Sequence, residues 1–171
     1  LQPFLTARFA VVREGYETGQ HRRRNLAALL IRVASRLGNT TLLMTHLDFP
    51  EPSIRGQILA ALVGMKFHSD DSDTVKARLQ AEIEADMLYL QGLVLLKDDV
   101  LLADSLRYLL DRLRERVFDL CALIYDAAAV ARVRIDYHSD SEARQSYALE
   151  MLHVTLPHDI RLMMISLLDN D

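Results

Sequence analysis

Two short segments decide the fold that this sequence predicts: LDFPEPSIR, residues Leu47–Arg55, and DYHSDSEAR, residues Asp136–Arg144. In each segment the pattern predicts the end of a helix, a tight polar turn, and a new helix that opens with an apolar residue followed by Arg. The two arginines, Arg55 and Arg144, are 89 residues apart. Because the segments match in role, they predict that a helix–turn–helix unit occurs more than once along the chain.

Composition favours helices along the whole chain. Of 171 residues, 31 are Leu and 18 are Ala, both strong helix formers, whereas only 6 are Gly and 4 are Pro. A β-sandwich needs turn residues at short intervals, so this composition argues against one. Half of the residues are hydrophobic and 26% are charged, as in globular proteins. The length predicts a single domain over residues 1–171.

The spacing of apolar residues predicts successive amphipathic helices. Their approximate bounds are 4–17, 22–37, 39–47, 54–65, 75–94, 102–120, 127–135, 143–151 and 157–168. Gly19 and Gly38 are expected to end the first two helices, and Asn39 to cap the third. Ser139 and Glu142 have the spacing of a capping box at the start of the eighth helix.

Five of these helices carry apolar stripes that we expect to be buried. The first helix has Leu5, Phe9, Val12 and Tyr16 on one face, and the fourth has Ile54, Ile58, Leu62 and Met65. The second helix has Leu26, Leu30, Val33 and Leu37 on one face. The fifth has Val75, Leu79, Ile83, Met87, Leu90 and Val94. The sixth has Leu102, Leu106, Leu109, Leu113, Val117 and Leu120.

The segment Leu47–Arg55 resembles the turn of a HEAT repeat, in which an acidic-Pro-acidic-Pro stretch leads into an apolar-Arg pair. The 89-residue offset equals about two HEAT or armadillo units of about 40–47 residues. The resemblance implies an all-α, HEAT-like superhelix, or solenoid, of about four helix pairs, with a closed helical bundle as the alternative. In the family a second turn acid braces the Arg, whereas Phe49 and His138 occupy that position here.

The last third of the chain resembles the HEAT-like region attached to bacterial membrane proteins of the ATP/ADP-translocase-like type. The matching residues are Glu115–Phe118, Ile124 and Tyr125, Ala148–Leu152, Leu156 and Pro157, and Leu167–Asp169. The resemblance implies a cytoplasmic scaffold that is tethered to a membrane protein. It implies no ligand-binding residue.

Charge, apolar run length and cysteine content exclude several classes of protein. With 20 basic and 24 acidic residues the net charge is −4, which does not favour bulk attraction to nucleic acid or anionic lipid. Apolar runs such as Leu26–Ile31 are far shorter than the roughly 20 residues of a membrane span, so no membrane insertion is expected. Cys121 stands alone, which excludes a disulfide framework and suggests a core thiol in the reducing cytoplasm. The chain begins at Leu1 without a signal-peptide pattern, and we expect it to be part of a longer protein.

Arginines supply the candidate partner-binding residues. The run Arg22, Arg23 and Arg24 places three guanidiniums at a predicted helix start, where they could bind phosphate or an acidic partner. Cations at a helix start oppose the helix dipole, which favours a functional role for them. The structural alternative is a solvated face or salt bridges to the preceding helix. Arg55 and Arg144, on the second helices of the repeats, are the other candidates for a partner-binding face.

No catalytic, cofactor or metal site is expected. The acidic loop at residues 70–73 lacks the Gly and the terminal Glu of an EF-hand. His153 and His158 are separated by Pro157 and not by the four-residue spacing that would put both on one helix face. The arginines between residues 107 and 116 alternate with acids, and pairs such as Arg107 with Asp111 predict a salt-bridged surface.

These observations favour a non-catalytic protein-interaction scaffold or regulatory domain that binds a protein partner. The alternative is a HEAT-like enzyme acting on nucleic acid or a chromophore, which a groove lined by carboxylates or aromatic side chains would favour. Weak self-association is also expected, because we expect no helix to cover Leu162, Ile165 and Leu168 at the end of the chain.

Overall fold

The computed structural model describes residues 2–18, 24–95 and 99–168. Over these ranges the chain forms nine α-helices and no β-strand, which confirms the all-α prediction. The helices are α1 (Gln2–Glu17), α2 (Arg24–Arg36), α3 (Thr40–Thr45), α4 (Pro52–Gly64), α5 (Ser72–Leu95), α6 (Val100–Ile124), α7 (Ala127–Tyr137), α8 (Glu142–Thr155) and α9 (His158–Leu168). They belong to two compact units, Leu1–Phe67 and His68–Asp171. The single domain over residues 1–171 stays a prediction.

The first unit contains α1 to α4, with α2 packed against α1, α3 and α4. The predicted face of α1 is confirmed, because Leu5, Phe9, Val12 and Tyr16 are all buried. Two predicted helix boundaries are also confirmed. Gly38 follows α2 with a φ of +64°, and the Asn39 side chain accepts a hydrogen bond from the Leu42 amide at the start of α3.

Helix α2 buries a different face from the predicted one. Leu26 and Leu37 are 38% and 51% exposed. The buried side chains are Ala27, Leu30, Ile31 and Ala34. A shift of one residue turns a helix face by about 100°. Small alanine side chains let α2 approach its neighbours closely, so packing selects this face over the leucine-richer one.

The second unit begins with α5 and α6, which pair as an antiparallel hairpin. Gly92 lies opposite Leu106, and Glu82 opposite Arg116, so residue numbers rise along one helix as they fall along the other. Helices α6 to α9 each pack against the preceding helix, and α5 also packs against α9. Phe118, Cys121, Leu152 and Met164 contribute to the core.

The predicted stripes on α5 and α6 are buried over only part of their length. The buried parts are Val75, Leu79 and Ile83 on α5, and Leu113, Val117 and Leu120 on α6. The exposed parts are Met87 and Val94 on α5, and Leu102 and Leu109 on α6. These exposed residues lie toward the connection between the two helices. Periodicity predicts which face is apolar, whereas packing decides whether it is covered.

Two expectations for the last two helices are wrong. Helix α8 begins at Glu142 with Ser141 at the N-cap, and the Ser139 hydroxyl accepts a hydrogen bond from the Ser141 amide at 3.3 Å. Ser139 therefore stabilises the turn locally and forms no capping box. In α9, Leu162 is 55% exposed as expected, but Leu168 is buried.

Candidate functional site

A groove of about 320 Å³ lies between α2 and α4 in the first unit. Its apolar lining consists of Ala28, Ile31, Ala60 and Ala61. Its polar lining consists of Arg32, Ser35, Arg36 and Gln57. On each helix these positions recur every three or four residues, so each helix contributes one continuous stripe.

The groove exists because three of its lining residues are alanines. Ala28, Ala60 and Ala61 have no side-chain atoms beyond Cβ with which to fill the space between the two helices. The buried faces of the same helices carry larger side chains, such as Leu30 of α2 and Ile58 of α4, which anchor the helix pair. The open space thus results from the small alanine side chains on one side of a well-packed helix pair.

The groove is bordered by positive charge. Arg32 and Arg36 line it and are exposed to solvent. Neither α2, with sequence RNLAALLIRVASR, nor α4, with sequence PSIRGQILAALVG, contains Asp or Glu. The charged residues of the two helices are therefore all arginines. The planar guanidinium of Arg donates hydrogen bonds in a fork that fits a carboxylate.

Only one residue of the predicted arginine run is described. Arg22 and Arg23 lie outside the described residues. Arg24 is the first residue of α2, one turn before Ala28 of the groove lining. Arg24 therefore lies on the same helix as Arg32 and Arg36.

Arg55 and Arg144, which the matched segments place in equivalent roles, have different environments. The Nη1 atom of Arg55 donates hydrogen bonds to the carbonyl oxygens of Phe49 and Pro50, at 2.9 and 3.1 Å. Arg55 therefore stabilises the turn before α4. Arg144 lies on α8 in the second unit and is exposed. The structure does not bring these two residues together within one unit.

Asp48 of the first matched segment pairs with Arg13 of α1. The Arg13 guanidinium donates two hydrogen bonds to the Asp48 carboxylate, at 2.7 and 2.9 Å, and these bonds lower the pKa of Asp48. Nearby, the ring of His46 stacks on Phe9 with centroids 4.8 Å apart, and burial lowers the pKa of His46. This cluster joins α1 to the segment after α3 and has a structural role.

The predicted salt-bridged surface of α6 is only partly correct. Arg107 pairs with Asp104 at 2.8 Å and not with Asp111. Arg114 and Arg116 are buried, whereas a surface position was expected. The Nε and Nη2 atoms of Arg116 donate hydrogen bonds to Oε2 of Glu82 on α5, at 3.0 and 2.8 Å. Periodicity within one helix cannot reveal an ion pair between two helices.

A second group of charges joins α6 to α7. Arg134 of α7 forms ion pairs with Glu115 and Asp119 of α6, the latter at 2.9 Å. The Nε2 atom of His138 lies 2.7 Å from Oε1 of the same Glu115. His138 therefore contacts the same acid of α6 that pairs with Arg134. These contacts hold two helices together.

The groove has no carboxylate or aromatic side chain in its lining. Among the described residues, no group of three or more His, Cys, Asp or Glu could hold a metal ion. The helices that the structure describes include none with the length and apolarity of a membrane span.

Sequence reasoning missed Arg32 and Arg36. The available signal was the absence of Asp and Glu from α2 and α4, since a solvated helix face usually mixes both signs of charge. In comparisons with protein-family models, curated proteins and solved structures, nothing matches this chain.

Proposed function

We propose that this chain is a non-catalytic protein-interaction domain that binds an acidic helical segment of a partner protein in the groove between α2 and α4. The observation that carries the proposal is the combination of an alanine floor with Arg32 and Arg36 at its edge, on two helices without acids. A partner helix would place small or apolar side chains on the floor and its carboxylates against the guanidiniums.

The size of the groove suits this ligand. Its volume of about 320 Å³ is at the lower end of the range for small-molecule pockets, roughly 300–1,000 Å³. It is large enough for a few side chains of a helix. The contribution of Arg32 and Arg36 would be mainly to specificity and association rate, since both are exposed to water.

The wider setting of this domain is part of the same proposal. The resemblance to HEAT-like regions supports a solenoid of helix pairs on the cytoplasmic side of a transporter-like membrane protein. The packing of successive helices against one another supports such a stack. The contact between α5 and α9 would also be expected in the alternative fold, a closed helical bundle. An enzyme acting on nucleic acid or a chromophore would need carboxylates or aromatic side chains, which do not line this groove.

A pair of designed peptides tests the proposal. Each has about 16 residues, enough for four helical turns, with Ala and Leu on one face and either Glu or Gln on the flanks. Binding to the whole chain is measured by fluorescence anisotropy at about 50 and about 300 mM salt. We expect the Glu peptide to bind in the micromolar range at low salt, to bind about tenfold more weakly at high salt, and to outcompete the Gln peptide.

Matched variants locate the binding site. Arg32→Ser combined with Arg36→Ser should weaken binding of the Glu peptide by up to about tenfold, since exposed ion pairs contribute roughly 0.2–1 kcal/mol each. Arg22→Ser combined with Arg23→Ser and Arg24→Ser should make the binding of the Glu peptide less dependent on salt concentration. Arg107→Ser in the second unit is the control and should change nothing. Equal loss in the control, or equal binding of both peptides, would refute the proposal.

A further inference from the structure

The end of the α5–α6 hairpin carries an exposed apolar surface, which we name the hairpin face. It consists of Leu88 and Leu95 on α5 and of Leu101, Leu102, Tyr108 and Leu109 on α6. These side chains are between 40% and 83% exposed. Such a concentration of large exposed apolar side chains is unusual for a surface that faces only water.

The residues of the hairpin face recur at seven-residue intervals along each helix. Leu88 and Leu95 are seven residues apart, as are Leu101 and Tyr108, and Leu102 and Leu109. A seven-residue spacing returns to the same side of a helix after two turns and is the pattern of helices that pack in pairs. Gly92, between the two leucines of α5, lies against Leu106 of α6, so the face adjoins the contact between the two helices.

The contacts of α6 with α7 lie at its other end. Arg114 binds Tyr137, Glu115 and Asp119 bind Arg134, and Phe118 packs near Tyr137. All of these α6 residues follow the hairpin face in sequence. Within the second unit, the described contacts with α7 therefore stabilise the half of α6 that is distant from the connection to α5, and leave the hairpin face open.

We propose that the hairpin face binds a second copy of this chain, so that two hairpins form a four-helix bundle around a two-fold axis. Six side chains that each remove roughly 80–100 Å² of apolar surface from water would bury on the order of 500–600 Å² per copy. A standard interface buries about 800 Å² per partner, of which about 56–65% is apolar, or roughly 450–520 Å². The hairpin face thus supplies the apolar area that a stable dimer needs.

The charges around the hairpin face favour a second copy over an anionic membrane. Between residues 87 and 109 the sequence contains Lys97 and Arg107 against Asp98, Asp99 and Asp104. A surface that binds anionic lipid is normally rich in Lys and Arg. A nearly neutral segment, by contrast, lets two identical surfaces meet with little repulsion.

The oligomeric state of the whole chain tests this proposal. In sedimentation velocity over about 1–200 μM we expect a monomer–dimer equilibrium with a Kd in the micromolar range. Leu101→Glu combined with Tyr108→Glu should weaken dimerisation by about 100-fold or more, because a dimer would bury the new charges without partners. The control is Val154→Glu on α8, a position that is 82% exposed but lies outside the hairpin face, and it should leave the dimer intact.

A cross-link tests the geometry independently. Ser105 lies on α6 between Leu101 and Leu109, and in Ser105→Cys a two-fold axis near this position would allow a disulfide between copies. Burial raises the pKa of Cys121 to about 12, so that thiol should stay protonated and unreactive. We expect a covalent dimer under oxidation. The proposal is overturned if the wild-type chain stays monomeric over the whole range, if Val154→Glu dissociates like the double variant, or if a monomer binds neutral lipid vesicles through the same face.

Discussion

The buried ion pair between Arg116 and Glu82 should be one of the strongest determinants of stability in the second unit. The Arg116 side chain is 8% exposed and that of Glu82 is 1% exposed, and two hydrogen bonds join them. In Arg116→Met the volume is roughly kept, while the charge, both hydrogen bonds to Glu82 and the hydrogen bond from Nη1 to the Arg112 carbonyl oxygen are lost. The Glu82 carboxylate would then remain buried with one of its ion pairs removed.

The size of the effect follows from what remains around Glu82. Removing one partner of a buried pair typically costs about 3–5 kcal/mol. Arg78 still holds Oε1 of Glu82 at 2.9 Å, and its side chain is 18% exposed, so some water reaches the site. We therefore expect a loss near the lower limit, about 3 kcal/mol. Adding Glu82→Met should recover part of this loss, since the carboxylate that had lost its Arg116 partner is then removed as well.

Urea unfolding of the whole chain, followed by circular dichroism, measures the loss. With an m-value of about 2 kcal/mol/M, a change of about 3 kcal/mol lowers the midpoint by roughly 1.5 M for the transition of the second unit. Hydrogen exchange of the α5 and α6 amides assigns that transition. Arg107→Met, which removes the exposed pair with Asp104, should change the free energy of unfolding by less than about 0.5 kcal/mol. Equal effects of Arg116→Met and Arg107→Met would refute this reasoning.

Three further predictions concern single residues. Because burial lowers the pKa of His46 from its ordinary value of 6.5, the unfolded state binds a proton that the folded state resists, so stability should fall as the pH drops below about 6.5. Between about pH 7.5 and 5, the free energy of unfolding measured in urea should depend less on pH in His46→Phe than in the wild-type chain, and an equal dependence in both would contradict this prediction. Gly38→Ala should lower the free energy of unfolding by about 1 kcal/mol, because Gly38 has a φ of +64° although there is open space around it. Gly64→Ala at the end of α4 should raise the free energy of unfolding by up to about 1 kcal/mol. Thermal unfolding measures both changes, and reversed signs would contradict both predictions. The buried thiol of Cys121 should resist a thiol reagent in the native chain and react fully in urea, so rapid native labelling would contradict the burial.

The helix boundary at Gly38 and Asn39 was predictable from the sequence, because it depends on residues within one or two turns. Gly38 and Asn39 mark a helix end and a helix start wherever the helices pack, and both are confirmed. The buried face of α2 was not predictable in the same way. Two adjacent faces of α2 are apolar, and the choice between Leu26 and Ala27 depends on how closely the neighbouring helices approach.

The candidate site depends on pairs of helices, which single-helix patterns do not describe. The adjacent Arg22, Arg23 and Arg24 are easily seen in the sequence, whereas Arg32 and Arg36 gain their significance from the alanines of α4 across the groove. The same limit applies to Arg116, whose acid lies on α5 and not on its own helix. A pattern along one helix gives the composition of a face but not the identity of what lies opposite.

The contact between α5 and α9 has a consequence for the order of folding. Most of the helix packing in the second unit joins helices that are consecutive in the chain, and such contacts close short loops at low entropic cost. The α5–α9 contact spans most of the unit, so we expect α9 to dock last, after α5 to α8 have assembled. The Met164 sulfur of α9 lies 4.0 Å from the Cys121 thiol. The rate at which that thiol becomes protected during refolding should therefore report the final step of folding.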